Sequence, residues 1–225
     1  QIADFCTIIR RGHHIDTVDV SAVTEAELAA KMVGRKVSFK VAKEKQRPGE
    51  MVLNIKELHV EDSRGIMAVN GLNLQLFRGE ILGIAGIDGN GQTQLIEALT
   101  GLRKVRSGRI EVAGKDVTNL PPGKIINEHK VSHIPEDRQK RGLVFEFDIA
   151  LNMILETYLK PSFSRWFYLL RKNIYEHGDR LIRQYDIRPR DATIKAKALS
   201  GGNQQKVIIA REIANEPDLL VAAQP

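Results

Sequence analysis

The stretch Glu80-Ile81-Leu82-Gly83-Ile84-Ala85-Gly86, continued by Ile87-Asp88-Gly89-Asn90-Gly91-Gln92-Thr93, constrains this chain more than any other part of it. A short apolar run reads as a strand, feeds a glycine-rich loop, and gives way to a helix predicted over Thr93–Leu99. Residues 86–93 fit the frame G-x-x-x-x-G-K-[ST], with Gln92 in the lysine position. Glycines in such a frame let consecutive backbone N–H groups turn inward around a phosphate, and the helix that follows adds its positive dipole end. The threonine hydroxyl can ligate Mg²⁺, and the lysine neutralises phosphate charge. Gln92 is neutral and offers only a dipolar hydrogen bond, so the charge term is weakened. The plainer alternative is an ordinary glycine-rich turn between a strand and a helix.

Around this loop, strands and helices alternate. Phe5–Arg10 and Ile15–Val20 read as strands flanking Arg11-Gly12-His13-His14. Thr24-Glu25-Ala26-Glu27 has the form of a capping box, opening a helix that Gly34 stops. Lys36 to Arg47 holds five basic residues and one acid before Pro48-Gly49, the composition of a solvated linker. A nucleic-acid or lipid patch is the alternative there, but no aromatic residue is interleaved after Phe39. Val52–Val60 and Ala68–Phe77 alternate as half-buried strands do, and Gly108–Ala113, Val131–Pro135 and Leu219–Ala223 are further strands. From Ala150 to about Ala214 the pattern is mainly helical, broken at Pro161, Pro189 and Ser200-Gly201-Gly202. The expectation is an α/β unit with a parallel sheet and an inserted helical region.

Composition narrows the class. No run of about 18 apolar residues is present, so no spanning helix is expected. One cysteine, Cys6, excludes an internal disulfide framework and a cysteine-based zinc cluster, and fits a reducing compartment. A formal charge of +6 over 225 residues permits contact with nucleic acid or an anionic membrane without demanding it. The chain begins at Gln1 with no secretory pattern and ends just after a strand-like run, so it is expected to be a piece of a longer protein.

A second glycine motif, Leu199-Ser200-Gly201-Gly202-Asn203-Gln204-Gln205-Lys206, precedes a helix carrying Val207, Ile208, Ala210, Arg211, Ile213 and Ala214. It offers a hydroxyl and free amides to an anion, although an N-capped helix after a flexible turn would look the same. Its place between the first loop and the last apolar strand carries more weight than its composition. In this arrangement the chain resembles the ATP-binding cassette (ABC) transporter ATPases. Residues 86–93 match their Walker A loop, 199–204 their signature motif and 219–225 their Walker B strand. Ile134-Pro135-Glu136-Asp137-Arg138 falls at their Q-loop, with Glu136 where most members have glutamine, as in the sugar-importer branch. The resemblance is nearest to the nucleoside-importing members of that branch, whose chains carry two cassettes.

That resemblance implies an α/β P-loop NTPase cassette, made of a RecA-like parallel sheet core, an antiparallel β subdomain and a helical subdomain at about 138–200, truncated after Walker B. Residues 1–35 correspond to the C-terminal tail of a first cassette, 36–50 to a linker, and 51–225 to an incomplete second cassette. The implied cofactors are ATP and Mg²⁺. Gly86, Gly89, Asn90, Gly91, Gln92, Thr93 and Gln94 would contact nucleotide, with Thr93 a weak Mg²⁺ ligand. Ser200, Gly201, Gly202, Asn203 and Gln204 would meet nucleotide held by the partner cassette. The implied partners are membrane-spanning permease subunits, the first cassette of the same chain and, indirectly, an extracellular substrate-binding protein, with no nucleic acid. The implied location is the cytoplasmic face of the cell membrane.

The departures from the family pattern bear on mechanism. Walker B normally ends Asp-Glu-Pro, its Asp holding the Mg²⁺ shell and its Glu polarising the attacking water. Here those positions are Ala223 and Gln224. With Gln92, three charged groups used in phosphoryl transfer are missing, so this site is expected to bind nucleotide at most and not to hydrolyse it efficiently. A non-transport ABC ATPase acting on nucleic acid or ribosomes, and a structural module that has lost nucleotide, are the alternatives. Tyr158–Tyr168 holds five aromatic residues, including the chain's one tryptophan. It is either a docking surface for a membrane subunit or core of the helical subdomain. In the stretch Glu61–Ile66, where an adenine-stacking aromatic is usual, none occurs, and Arg64 is either a stacking cation or a solvated loop charge. The six histidines show no metal spacing.

Overall fold

The two N-terminal strands and the helix after them form as their sequence implies. The structure, a computed structural model, describes residues 3–10, 12–34, 47–87 and 89–224. The chain divides into two compact units, Gln1–Gln46 and Arg47–Pro225. In the first, β1 (Phe5–Arg10) pairs antiparallel with β2 (His13–Asp19), and α1 runs over Glu25–Val33. The Glu27 amide donates to the Thr24 hydroxyl at 3.3 Å, and the Thr24 amide donates to the Glu27 carboxylate at 2.9 Å, which completes the capping box. Arg10 donates to the Lys31 carbonyl, and Lys31 pairs with Asp16, fastening helix to hairpin. His13 and His14 belong to β2 rather than to the turn. Of the linker expected over 36–50, residues 36–46 lie outside the described residues.

In the second unit, β3 (Met51–Glu61), β4 (Met67–Phe77), α2 (Gln92–Leu99), β5 (Ser107–Val112) and β6 (Lys115–Asp116) come first. The strands form an antiparallel sheet in the order β4-β3-β5-β6. Its inner face supplies Leu53, Ile55, Leu58, Val60 and Ile110, packed with Leu95, Ala98 and Leu99 of α2. Each fully buried aliphatic of this kind stabilises the fold by about 1.5–3 kcal/mol. This cluster holds α2, and with it the end of the glycine loop, against the sheet.

Next come α3 (Pro122–His129), β7 (Val131–Ile134), α4 (Ile149–Met153), the short antiparallel pair β8 (Ser164–Arg165) and β9 (Tyr168–Leu169), α5 (Arg171–Gln184) and α6 (Gly201–Ala214). A second core of Ile149, Met153, Ile174, Ile182, Ile187 and Ile208 joins α4, α5 and α6. The final strand, β10 (Leu219–Ala222), runs parallel to β7, with Leu219 opposite Val131 and Ala222 opposite Ile134. The mainly helical pattern expected over Ala150–Ala214 is thus interrupted by the β8–β9 hairpin. Of the five aromatics in that segment, Phe163 alone enters the core; Tyr158, Trp166, Phe167 and Tyr168 are exposed.

The run Glu80–Gly86 departs from its reading. It forms no strand, and Ile81 and Ile84 are 82% and 53% exposed. An apolar run becomes a parallel strand only when neighbours supply its ladder hydrogen bonds. Among the described residues β7 and β10 bond each other and leave this run unpaired.

A buried ionic network fastens α6 to β7. Glu212 is fully buried and accepts from Arg211 Nε at 2.7 Å and from the His133 amide at 3.2 Å. Arg211, 4% exposed, also donates to the Gly142 carbonyl at 2.9 Å and faces Glu156 at 3.8 Å. The Ser132 hydroxyl donates to the Glu212 carbonyl at 3.0 Å. Burial, then the neighbouring Glu212 charge, pushes the Glu156 carboxyl up to about 7, against the opposing pull of Arg211. The folded state therefore keeps a proton that the unfolded chain loses near the ordinary carboxylate value. Stability contributed by that proton is complete below the unfolded pKa and falls as pH rises toward 7. We predict that Glu156→Gln matches the native chain at pH 4 and exceeds it by roughly 3 kcal/mol at pH 8, read from urea midpoints. Parallel stability curves for the two proteins would contradict this.

Candidate functional site

The first glycine loop is shaped by two close approaches. Gly91 adopts φ 93°, and a β-carbon there would stand 2.3 Å from the Ala68 carbonyl oxygen, so only glycine fits. A β-carbon at Gly86 would stand 1.8 Å from Gln92 Nε2, because the Gln92 side chain folds back over Gly86. The Asn90 amide donates to the Ile87 carbonyl at 3.1 Å, closing a turn that carries Gly89. The first helical bond of α2 runs from the Leu95 amide to the Gly91 carbonyl at 2.9 Å. The amides of Gln92, Thr93 and Gln94 are therefore left without intrahelical partners, as donors for an anion.

This loop forms one wall of a cavity of about 360 Å³. Leu82 and Ile84, from the unpaired apolar run, line it as well. The opposite wall is the carboxyl end of the parallel pair, where ligands of open α/β sheets bind. There the Ala223 amide extends the ladder to the Ile134 carbonyl at 2.9 Å. One residue on, Gln224 Nε2 donates to Glu136 Oε1 at 2.7 Å. Glu136, Ala223 and Gln224, far apart in sequence, thus meet Gly86, Gly89, Gly91, Gln92, Thr93 and Gln94 around one cavity.

These residues fit the phosphates of a nucleotide through backbone amides and the helix dipole. For Mg²⁺, they supply the exposed Thr93 hydroxyl and the Glu136 carboxylate, both lining the same cavity, whereas the Ala223 methyl supplies nothing. Mg²⁺, when bound, supplies neutralisation of phosphate charge. Carboxylate and carboxamide are exchanged relative to the usual pattern: the acid stands after β7 and the amide after β10.

The second glycine motif opens α6. Ser200, Gly201 and Gly202 are exposed, and the Ser200 side chain makes no cap bond to its own helix. Asn203 Oδ1 accepts from the Arg188 amide at 2.8 Å, which fixes the orientation of the carboxamide. Its Nδ2 then donates to Ser200 Oγ at 2.9 Å, leaving the hydroxyl proton free to be donated outward. Gln204 donates to the Leu199 carbonyl at 3.1 Å and the Ala196 carbonyl at 3.3 Å, bracing the turn. Asn203 and Gln204 are thereby engaged with the protein, and Ser200 with the two glycines faces solvent.

The segment between Ile134 and Gly142 touches both places. Glu136 reaches Gln224, while Arg138 donates to the Gly201 carbonyl at 3.1 Å. Asp137 accepts from the amides of Gln139 and Lys140, and these bonds, the Lys140 amide first, hold its carboxyl below the usual range. The link from Arg138 to the second motif was not read from the sequence, since nothing local signals it. Arg64 is forked onto Asp62 at 2.8 and 2.9 Å, which fits the solvated loop charge. Among the described residues, no group of three His, Cys, Asp or Glu side chains is placed to hold a metal ion.

A glycine loop with free amides set against the carboxyl ends of a parallel pair, with an antiparallel sheet and a helical insertion, is the arrangement of an ATP-binding cassette. The model of the ABC transporter family matches residues 69–225, and the chain belongs to that family. It is 50% identical over its whole length to the nucleoside import ATP-binding protein NupA of Lactococcus lactis subsp. cremoris. It is 51% identical to the guanosine import ATP-binding protein NupO of Bacillus subtilis and 40% identical to the glucose import ATP-binding protein TsgD13 of Haloferax volcanii. The chain spans 44%, 44% and 41% of those proteins' lengths, in that order. In fold it is similar to the dimeric, ADP- and Pi-bound cassette MJ0796, with a TM-score of 0.62 and 22% identity over 76% of this chain and 72% of that one. A nucleotide-free ABC transporter cassette gives a TM-score of 0.62 at 21% identity, over 76% of this chain and 68% of that one.

Proposed function

We propose that this chain is part of the ATP-binding subunit of an ABC importer, and that its own nucleotide site binds Mg-ATP without hydrolysing it efficiently. The observation that carries this reading is the 2.7 Å bond from Gln224 to Glu136. The position that would polarise water is a carboxamide engaged with its neighbour, and a carboxamide accepts no proton. Ala223 and Gln92 remove two further charges from the same cavity, while the backbone donors of the loop remain. In this reading Ser200, Gly201 and Gly202 complete a competent site on a partner cassette. Residues 51–225 act as a second cassette and residues 1–35 as the tail of a first, which accords with relatives more than twice as long.

The transported substrate in this proposal is a nucleoside, with a simple sugar second. The support is the names of relatives, nucleoside and guanosine import at 50% and 51% identity against glucose import at 40%. Membrane-spanning permease subunits would be the partners, at the cytoplasmic face of the membrane, with an extracellular substrate-binding protein acting through them. No described helix is long and apolar enough to cross a membrane. The reading is tested on the chain itself by equilibrium binding of ATP with Mg²⁺ and by phosphate release. Binding without turnover above the uncatalysed rate is expected. Measurable turnover would overturn the inactivity claim, and absence of binding would favour a structural module.

A further inference from the structure

The β8–β9 hairpin is an exposed apolar tip that the nucleotide chemistry does not use. Trp166, Phe167 and Tyr168 are 87%, 96% and 78% exposed, and Leu159, shortly before the hairpin in sequence, is 74% exposed. Trp166 and Phe167 form the two-residue turn between the strands. Trp166 sits there at φ 60°, in the left-handed region that such turns usually fill with Gly, Asn or Asp. Two large aromatics are thus held outward in a strained turn, at a cost of order 1 kcal/mol that their own burial does not offset.

The charge around this tip has one sign. Residues 158–172 carry four cations, Lys160, Arg165, Arg171 and Lys172, and no acid. All four are exposed, and the nearest ion pair is a loose one from Lys172 to Glu176 at 4.0 Å. At the foot of the hairpin lies a cavity of about 440 Å³, lined by Lys160, Arg180, Arg211 and Asn215 together with one acid, Glu176. Asn215 Nδ2 is buried there without a hydrogen-bond partner. Aromatic side chains at a tip, flanked in sequence by Lys and Arg with no acid among residues 158–172, match the layer of a bilayer where acyl chains meet anionic headgroups.

We propose that the β8–β9 hairpin contacts an anionic bilayer, with Trp166 and Phe167 entering the interfacial layer and Lys160, Arg165, Arg171 and Lys172 meeting lipid phosphates. The contact is independent of the nucleotide site. Trp166 is the chain's one tryptophan, so its fluorescence reports the tip directly. The test mixes the chain with vesicles of phosphatidylcholine alone and of phosphatidylcholine with phosphatidylglycerol. On the anionic vesicles the emission shifts to the blue, lipids brominated near the carbonyl quench it, and added salt reverses both. Phe167→Ser, at a residue that packs against nothing, weakens partitioning about tenfold or more. Arg165→Gln and Arg171→Gln each weaken it about fivefold.

Unchanged Trp166 emission on anionic vesicles would overturn the proposal. So would binding that Phe167→Ser leaves intact, since that would be adsorption of a basic chain through other surfaces. A blue shift seen only when a membrane-spanning protein is present in the vesicles would also overturn it and assign the tip to that protein.

Discussion

Replacing Arg211 with methionine is expected to destabilise the second unit by about 3–5 kcal/mol in urea unfolding. The side chain is 4% exposed and Glu212 beside it is fully buried. Methionine keeps the volume but leaves the Glu212 charge with the His133 amide as its remaining described donor, and leaves the Gly142 carbonyl unpaired. A buried ion stripped of its counter-ion costs far more than the intact pair contributes. The control is the double replacement Arg211→Met with Glu212→Gln, which removes both charges and should recover at least half of the loss. If the single variant were as stable as the native chain, the network would not be what ties α6 to β7. The effect would reach function, because α6 presents Ser200 and β7 leads into Glu136.

Local signals in this chain were legible, and distant pairings were not. Thr24 and Glu27 announce their capping box because both partners lie within one turn of helix. The alternation of Val52–Val60 and Ala68–Phe77 marks two strands because one face of each must be buried. The glycine spacing around Gly86–Thr93 and Ser200–Gly202 was readable for the same reason: each motif is continuous. Glu80–Gly86 misleads because apolarity shows what a segment would bury and not which backbone bonds it. The β8–β9 turn was hidden because Trp166-Phe167 carries none of the Gly, Asn or Asp that mark a two-residue turn. Its exposed aromatics also reverse the usual inference from residue type to burial. The bond from Gln224 to Glu136 joins residues brought together only by the parallel register of β7 and β10. Each departure from the family pattern was visible singly, but their contact was not.

The largest functional effect is expected at Ser200. In the proposed two-cassette protein its hydroxyl, oriented by Asn203, and the amides after it would meet the phosphate held by the partner cassette. An arginine at this position fills the space in front of those donors. Removing one preorganised donor to a developing charge costs about 10²–10³ in rate, and Ser200→Arg blocks several together. Gln92 is neutral and lies folded over Gly86, in the cavity where Gln224 stands in place of the usual base. Gln92→Ala should therefore leave turnover within about threefold, in keeping with a lost dipolar hydrogen bond at a site proposed to perform no chemistry.

The decisive measurement compares steady-state Mg-ATPase of the two-cassette protein carrying Ser200→Arg with that of the same protein carrying Gln92→Ala. Loss of at least about a hundredfold for Ser200→Arg, with Gln92→Ala close to the native rate, is the predicted result. Loss of ATPase in Gln92→Ala with activity retained in Ser200→Arg would contradict it, and would make the Gly86–Gln224 cavity the hydrolytic site.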